Sequence, residues 1–283
     1  MDITKVGVVG SGQMGSGIAQ VCALSGYQTI LAARSSSSLD RGLENINSAL
    51  LRAIAGGWIT EEVKSATLAR IHGTTKIEDI ADCDLVIEAI VENMEEKKKL
   101  FAELDRLCPV PAILASNTSC LSVTEMALAT ENPGRVIGLH FFNPPPVMAL
   151  LELITTVVSS EETFNIARKF AESLKKTVVV VKDTPGFIVN RLLIPFLLDA
   201  IWLLESGLAT KEDIDTSMVL GCNQPMGPLR IADFIGLDTL NNVADAICNE
   251  LDDVRFAVPP ILRKMVAAGY LGRKTGRGFY EYD

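Results

Sequence analysis

The chain has two histidines, His72 and His140, so the search for a side chain that exchanges a proton near neutrality is short. His72 lies in a polar segment before Gly73-Thr74-Thr75 and reads as a surface residue. His140 ends the apolar run Val136-Ile137-Gly138-Leu139-His140 and is followed by Phe141-Phe142-Asn143-Pro144-Pro145-Pro146. The carboxyl ends of such strands are where open α/β sheets bind ligands. Further on, Glu152 interrupts the apolar segment Ala149-Leu150-Leu151-Glu152-Leu153-Ile154. An unpaired carboxylate is costly in such surroundings, so a buried partner is implied. His140 meets that need, giving a pair in which Glu152 fixes the imidazole tautomer and favours the imidazolium. The chemistry expected of the pair is general acid/base catalysis.

A second constellation opens the chain. Lys5-Val6-Gly7-Val8-Val9 runs into Gly10-Ser11-Gly12-Gln13-Met14-Gly15 and then into Ser16-Gly17-Ile18-Ala19-Gln20-Val21-Cys22. Strand, glycine loop and helix occur in the order that a dinucleotide site requires. Gly10 suits the tight turn, Gly12 the approach of backbone to a pyrophosphate, and Gly15 the close packing of helix on strand. The phosphates would rest on the helix start, against the N–H groups of Gln13, Met14 and Gly15. Sites for NAD then carry an acidic residue about 20 positions on, against the ribose 2′-hydroxyl. Here no Asp or Glu occurs between Asp2 and Asp40, and the expected position reads Leu31-Ala32-Ala33-Arg34-Ser35-Ser36. Arg34 with the hydroxyl of Ser35 suits a 2′-phosphate, so NADP is expected in preference to NAD. The plainer alternative has Arg34 stacking on adenine or facing solvent.

These groups need a frame. Runs of strand character at Lys5–Gly10, Gln28–Ala33, Asp84–Ala89, Ala112–Ser116, Arg135–His140 and Thr177–Val181 alternate with helical patterns at Gln13–Ser25, Ser38–Gly56, Met94–Cys108, Val123–Ala129 and Glu161–Leu174. Such alternation predicts an α/β fold, a Rossmann-type doubly wound, mainly parallel sheet. At Asp183-Thr184-Pro185-Gly186 the pattern breaks, and four or five helices without strands follow, divided near Gly207, Gln224–Pro228 and Ala257–Pro260. The chain is therefore expected to divide into a dinucleotide-binding domain over 1–183, carrying the His–Glu pair, and an all-α C-terminal domain over 184–283.

Composition narrows the partners. A net charge of −9 without a basic tract gives no footprint for nucleic acid or an anionic membrane. The six cysteines form no C-x-x-C pair, so no zinc or redox motif is spelled and no metal is expected. The N-terminus offers no room for an export signal, and the apolar stretch Leu192–Leu204 contains Pro195 and Asp199 and falls short of the ~20 residues that span a bilayer. A cytoplasmic protein is expected.

Taken together, several segments resemble the L-3-hydroxyacyl-CoA dehydrogenases, above all the compact bacterial 3-hydroxybutyryl-CoA dehydrogenases. The likeness covers essentially the whole chain. It rests on Gly10–Gly17, Glu88-Ala89-Ile90-Val91-Glu92-Asn93, Ser116-Asn117-Thr118-Ser119, His140–Pro144 with Glu152, Asp183–Arg191, and Leu271–Tyr280. What the resemblance implies is His140 as acid/base with Glu152 as partner, Ser119 and Asn190 hydrogen-bonding an acyl-CoA substrate, and Ser119 also bordering the coenzyme. Glu92, Lys97, Asn143 and Lys274 would lie near the coenzyme's ribose or nicotinamide. Residue types alone leave plainer roles open: Ser119 capping the helix near Val123, Asn190 facing solvent, and Glu92 and Lys97 at a solvated helix start.

The CoA phosphates would be met chiefly by Arg52, with Arg41 as helper, a thinner basic set than the family usually shows. Ala149, where relatives often carry Lys, is a further departure. Leu192-Leu193-Ile194 and Phe196-Leu197-Leu198, beside Ile201-Trp202-Leu203-Leu204, are apolar around most of a helix, as helices buried on several sides are, and the resemblance implies a homodimer through the C-terminal domain. Two other functions share these features: a dehydrogenase of a non-CoA hydroxy acid or hydroxy-amine, and a non-catalytic nucleotide-binding or structural relative.

Overall fold

In the computed structural model, which describes residues 2–282, the chain divides after Asp183 into two compact units. The first contains β1 (Lys5–Val9), α1 (Gln13–Leu24), β2 (Gln28–Ala32), α2 (Ser36–Ala55), α3 (Glu61–Ala69), β3 (Ile71–Thr74), β4 (Leu85–Glu88) and α4 (Met94–Leu107). It continues with β5 (Ile113–Ser116), α5 (Val123–Ala127), β6 (Val136–Phe141), β7 (Leu150–Thr155), α6 (Glu161–Ser173) and β8 (Thr177–Lys182). The strands form one sheet in the order β3-β2-β1-β4-β5-β6-β7-β8. Every neighbouring pair is parallel except β6 and β7.

The sheet is buried because its strands are apolar on both faces, as parallel strands covered by helices must be. Val6, Val8, Leu31, Leu85, Ile87, Ile113, Ala115, Ile137 and Leu139 form a continuous core with Ile18, Ile46, Leu50, Phe170 and Leu174 from the helices. Helix starts are fixed by short polar caps: Ser35, Thr60, Asn93, Ser122 and Ser160 each accept a backbone N–H of the first turn they precede. The chain order reverses between β1 and β4, so the crevice above their carboxyl ends is the place where such sheets bind ligands.

Two strands and one helix were not apparent from the pattern of residues. β3 is a short edge strand containing His72 and Gly73, and α3 precedes it. His72 is exposed there, as expected of a surface residue. β7 is the antiparallel strand that carries Glu152. Only residues 142–149 separate it from β6, too short a stretch for the crossover a parallel neighbour needs.

The second unit is all-helical: α7 (Val189–Glu205), α8 (Lys211–Cys222), α9 (Pro228–Ile235), α10 (Leu237–Leu251) and α11 (Pro260–Ala267). Its C-terminal segment is held by two buried carboxylates. Asp233 accepts the N–H groups of Phe279 and Tyr280 and the Tyr282 hydroxyl, each at 2.9 Å. Asp215 accepts the Tyr280 hydroxyl at 3.0 Å and the N–H of Leu229 at 2.8 Å.

Candidate active site

β6 and β7 pair in the register that sets His140 directly opposite Glu152. Directly opposed residues of an antiparallel pair project from the same face. The two side chains accordingly meet, with Nδ1 of His140 2.7 Å from Oε2 of Glu152 and both residues buried. A carboxylate can only accept, so Nδ1 is the donor in this contact. The Phe142 ring lies 4.5 Å from the imidazole, tilted by 50°. The pair expected from residue types alone is thus assembled, at the carboxyl end of β6.

The glycine loop lies at the carboxyl end of β1. Gly10 has φ +113°, and a Cβ there would sit 2.4 Å from the carbonyl oxygen of Ala89. A Cβ on Gly15 would lie 1.7 Å from the Gly10 oxygen, so α1 can approach the loop only without a side chain at that point. At Gly12 the opposite holds, since a Cβ would meet nothing within 4 Å. Gly12 therefore faces open space at the start of α1, where no side chain caps the helix and no acidic residue occupies the first turn. Free N–H groups beside open space suit a dinucleotide's pyrophosphate. When bound, the nicotinamide supplies a hydride acceptor or donor.

Ser119 follows β5 and is half-buried. Its backbone N–H and hydroxyl approach the same Glu92 oxygen, at 2.8 and 3.2 Å, and the Thr118 hydroxyl reaches that oxygen at 2.6 Å. Ser119 is not the cap of α5, a role that Ser122 fills. Lys97, expected among the coenzyme's neighbours, is almost wholly buried, and its ammonium lies 2.5 Å from Glu88 and 3.2 Å from Glu92. It belongs to a network and not to a solvated helix start. Burial pushes the Glu92 carboxyl up, but the Lys97 ammonium and the donors at Thr118 and Ser119 outweigh it and hold the group below its ordinary value.

Glu88 is the member of this network whose part was not foreseen. At the end of β4 its carboxylate accepts the Ile90 N–H at 2.7 Å, the Lys97 ammonium at 2.5 Å and the Ser116 hydroxyl at 2.6 Å. A signal existed: the charge closes the apolar strand Leu85-Val86-Ile87-Glu88. Glu88→Gln leaves the buried ammonium with Glu92 as its remaining carboxylate, so a loss of about 3 kcal/mol is expected in denaturant unfolding. An unchanged midpoint would refute that assignment. Asn117 was likewise missed; its Oδ1 accepts the Phe141 N–H at 2.9 Å and ties the segment before Ser119 to the strand end bearing His140.

The remaining candidates lie on other elements. Arg34 is exposed after β2, and Ser35 is engaged as the N-cap of α2, exchanging bonds with Ser38. The Ser11 hydroxyl donates to the Ser38 carbonyl at 2.8 Å, linking the glycine loop to the start of α2. Arg52 is exposed in the last turn of α2, and Arg41 bonds its own helix at Ser37. Asn143 is exposed just beyond β6. In the helical unit, Asn190 is half-buried in the first turn of α7, and Lys274 pairs with Asp238 at 2.5 Å. Among the described residues no cluster of His, Cys, Asp or Glu could hold a metal ion, and no helix is long and apolar enough to cross a membrane.

Residues 5–184 match the family described as "3-hydroxyacyl-CoA dehydrogenase, NAD binding domain", and residues 186–282 match "3-hydroxyacyl-CoA dehydrogenase, C-terminal domain". The chain belongs to the 3-hydroxyacyl-CoA dehydrogenase family. It is 47% identical over 280 residues to 3-hydroxybutyryl-CoA dehydrogenase of Bradyrhizobium diazoefficiens, covering 99% of this chain and 96% of that relative. The solved structure of Mycobacterium tuberculosis FadB2 superimposes with a TM-score of 0.98 at 45% identity, covering all of both chains. That of (S)-3-hydroxybutyryl-CoA dehydrogenase PaaH1 from Ralstonia eutropha does so with a TM-score of 0.95 at 44% identity, again covering both chains completely. As a 3-hydroxyacyl-CoA dehydrogenase the protein is an NAD(P)-dependent oxidoreductase.

Proposed function

We propose that the protein interconverts (S)-3-hydroxybutyryl-CoA and acetoacetyl-CoA, with His140 as acid/base, Glu152 as its orienting partner, and NADP(H) as the preferred coenzyme. The observation that carries this is the buried 2.7 Å contact between His140 Nδ1 and Glu152, which turns Nδ1 to the carboxylate and so assigns the exchange of a substrate proton to Nε2. In oxidation Nε2 takes the 3-hydroxyl proton as the C3 hydride leaves for the nicotinamide, so a ketone forms. In reduction the imidazolium returns that proton to the carbonyl oxygen. Ser119, ordered by Glu92, and Asn190 of the helical unit are assigned to hold that oxygen and steady its developing charge. Glu92, Lys97, Asn143 and Lys274 are assigned to the coenzyme side, and Arg52 to the CoA phosphates. Residues 1–183 are assigned to the coenzyme and the acid/base pair, and 184–283 to substrate binding.

The relatives from Bradyrhizobium diazoefficiens and Ralstonia eutropha are 3-hydroxybutyryl-CoA dehydrogenases, which supports the four-carbon substrate. Rates with acetoacetyl-CoA, longer 3-oxoacyl-CoAs and free acetoacetate decide it. Higher efficiency on free acetoacetate would favour the non-CoA reading.

NADP preference is supported by the exposed Arg34 beside the start of α2, a helix with no acidic residue in its first turn. With Ser35 committed to its cap, Arg34 is the principal side chain offered to a 2′-phosphate. Arg34→Ala is expected to raise the KM for NADPH about tenfold and to leave that for NADH within about twofold. Wild-type preference for NADH would sink the assignment.

The helical unit exposes Leu192, Trp202, Leu203, Leu208, Leu220 and Phe234, more apolar surface than scattered single residues account for. This supports a homodimer through that unit. Sedimentation at micromolar concentration tests it, and a monomer would exclude it.

A further inference from the structure

We propose that Lys176 is a positioning residue of the active site: its ammonium clamps the loop of residues 142–149 and so fixes Asn143 and the facing of His140 to Glu152. Lys176 lies just before β8, far in sequence from either. Its Nζ donates to the carbonyl oxygen of Pro145 at 2.6 Å and to that of Met148 at 2.7 Å. The loop leaves β6 immediately after His140-Phe141 and returns as β7, which brings Glu152 back. Whatever holds the loop therefore holds both members of the pair.

The loop cannot hold itself. Pro144, Pro145 and Pro146 contribute no N–H, so the segment has more acceptors than donors. The amides of Val147 and Met148 both turn to the Pro144 carbonyl, each at 3.0 Å. An ammonium, with three donors and no acceptor, is the complement that the remaining carbonyls need. Among the described residues Lys176 has no carboxylate within ion-pairing distance, and burial lowers its pKa. A lysine serving only solubility would extend its head into water; this one is half-buried with its head turned onto carbonyls.

Two contacts give the clamp an anvil. Gly17 of α1 lies against the Pro145 ring so closely that a Cβ there would be 2.7 Å from the Pro145 Cδ. Next to Lys176, the Thr177 N–H donates to the Ala149 carbonyl at 2.8 Å, beginning the register that continues as Leu150 opposite Thr177 and Glu152 opposite Val179. Loosening the loop lets β7 slip against β6, and a slip of one residue turns Glu152 to the opposite face. The proposal rests on the function above only in taking Asn143, His140 and Glu152 to work in hydride transfer.

Lys176→Met tests it by two independent measurements. Amide exchange of Val147 and Met148, read by mass spectrometry, is expected to quicken about tenfold, the scale of a lost bond to a charged donor. Turnover of acetoacetyl-CoA at saturating coenzyme is expected to fall about tenfold while the substrate KM stays within about twofold. Lys176→Arg, which keeps charge and donors, recovers part of both, and Lys176→Gln carries the same measurements should the Met variant not fold. Exchange that does not change overturns the clamp. Faster exchange with kcat unchanged overturns the positioning role. A wild-type enzyme inert on every 3-oxoacyl-CoA would defeat the functional reading instead, and the exchange measurement would still decide the clamp.

Discussion

His140→Gln is expected to bind coenzyme as the wild type does and to lose about 10²–10⁴ of kcat in both directions, the range attributed to a positioned acid/base. The amide of Gln can donate to Glu152 and keep the buried carboxylate satisfied, so the fold should persist. What it cannot do is accept the 3-hydroxyl proton and return it to the ketone. Coenzyme affinity, followed by nicotinamide fluorescence, should stay near wild type because the glycine loop is at β1 and α1, on separate elements from β6. A variant retaining turnover within tenfold would remove His140 from the chemistry and leave the pair a structural feature.

The parts of the site that could be read from residues are those whose chemistry conflicts with their surroundings. His140 and Glu152 stood out because each is polar in an apolar run, and the glycine loop because strand, loop and helix follow one another without a gap. The strand carrying Glu152 was missed for the same reason that Glu152 was found. Its carboxylate stands out as a buried charge, while in Leu150–Thr155 three leucines and an isoleucine, residues equally at home in a helix, give a short apolar run that periodicity alone does not assign to a strand. The brevity of the 142–149 link already required an antiparallel return. That return is what puts the two side chains on one face.

Lys97 illustrates the converse failure. Glu95-Glu96-Lys97-Lys98-Lys99 reads as a solvated helix face, yet Lys97, Phe101 and Leu104 recur at helical spacing and all three are buried. Charge type masked a periodicity that was present. Its partner Glu88 lies nine residues earlier, on a strand and not on the same helix, so helical spacing does not pair the two; only the parallel neighbours β4 and β5 bring Glu88 and Ser116 side by side. The same holds for Lys176, whose acceptors are backbone carbonyls, groups every residue carries and no sequence pattern marks. The division of the chain at Asp183, by contrast, coincides with Asp183-Thr184-Pro185-Gly186, where backbone preference and loss of strand character change together.

Glu152→Gln is the substitution that separates an orienting carboxylate from a merely compatible one. Glu152 can only accept, so it holds the proton of neutral His140 on Nδ1 and puts the ring's lone pair on Nε2, the nitrogen to which the proposed function assigns the substrate proton. An amide facing Nδ1 through its NH₂ group imposes the opposite tautomer, with Nε2 protonated and unable to act as base. Facing through its oxygen it preserves the tautomer but no longer neutralises the imidazolium that forms in a site from which water is largely excluded. Either orientation costs turnover, and the comparable change in the Ser-His-Asp triad costs about 10⁴, so a loss of about 10³ in kcat is expected here. Glu152→Asp keeps the charge and shortens the reach, and should fall between. Coenzyme binding should again be spared. Turnover within threefold of wild type in Glu152→Gln would mean that β6 and β7 orient His140 by packing alone, whereas a graded loss from Asp to Gln assigns the effect to the charge that the antiparallel register places against Nδ1.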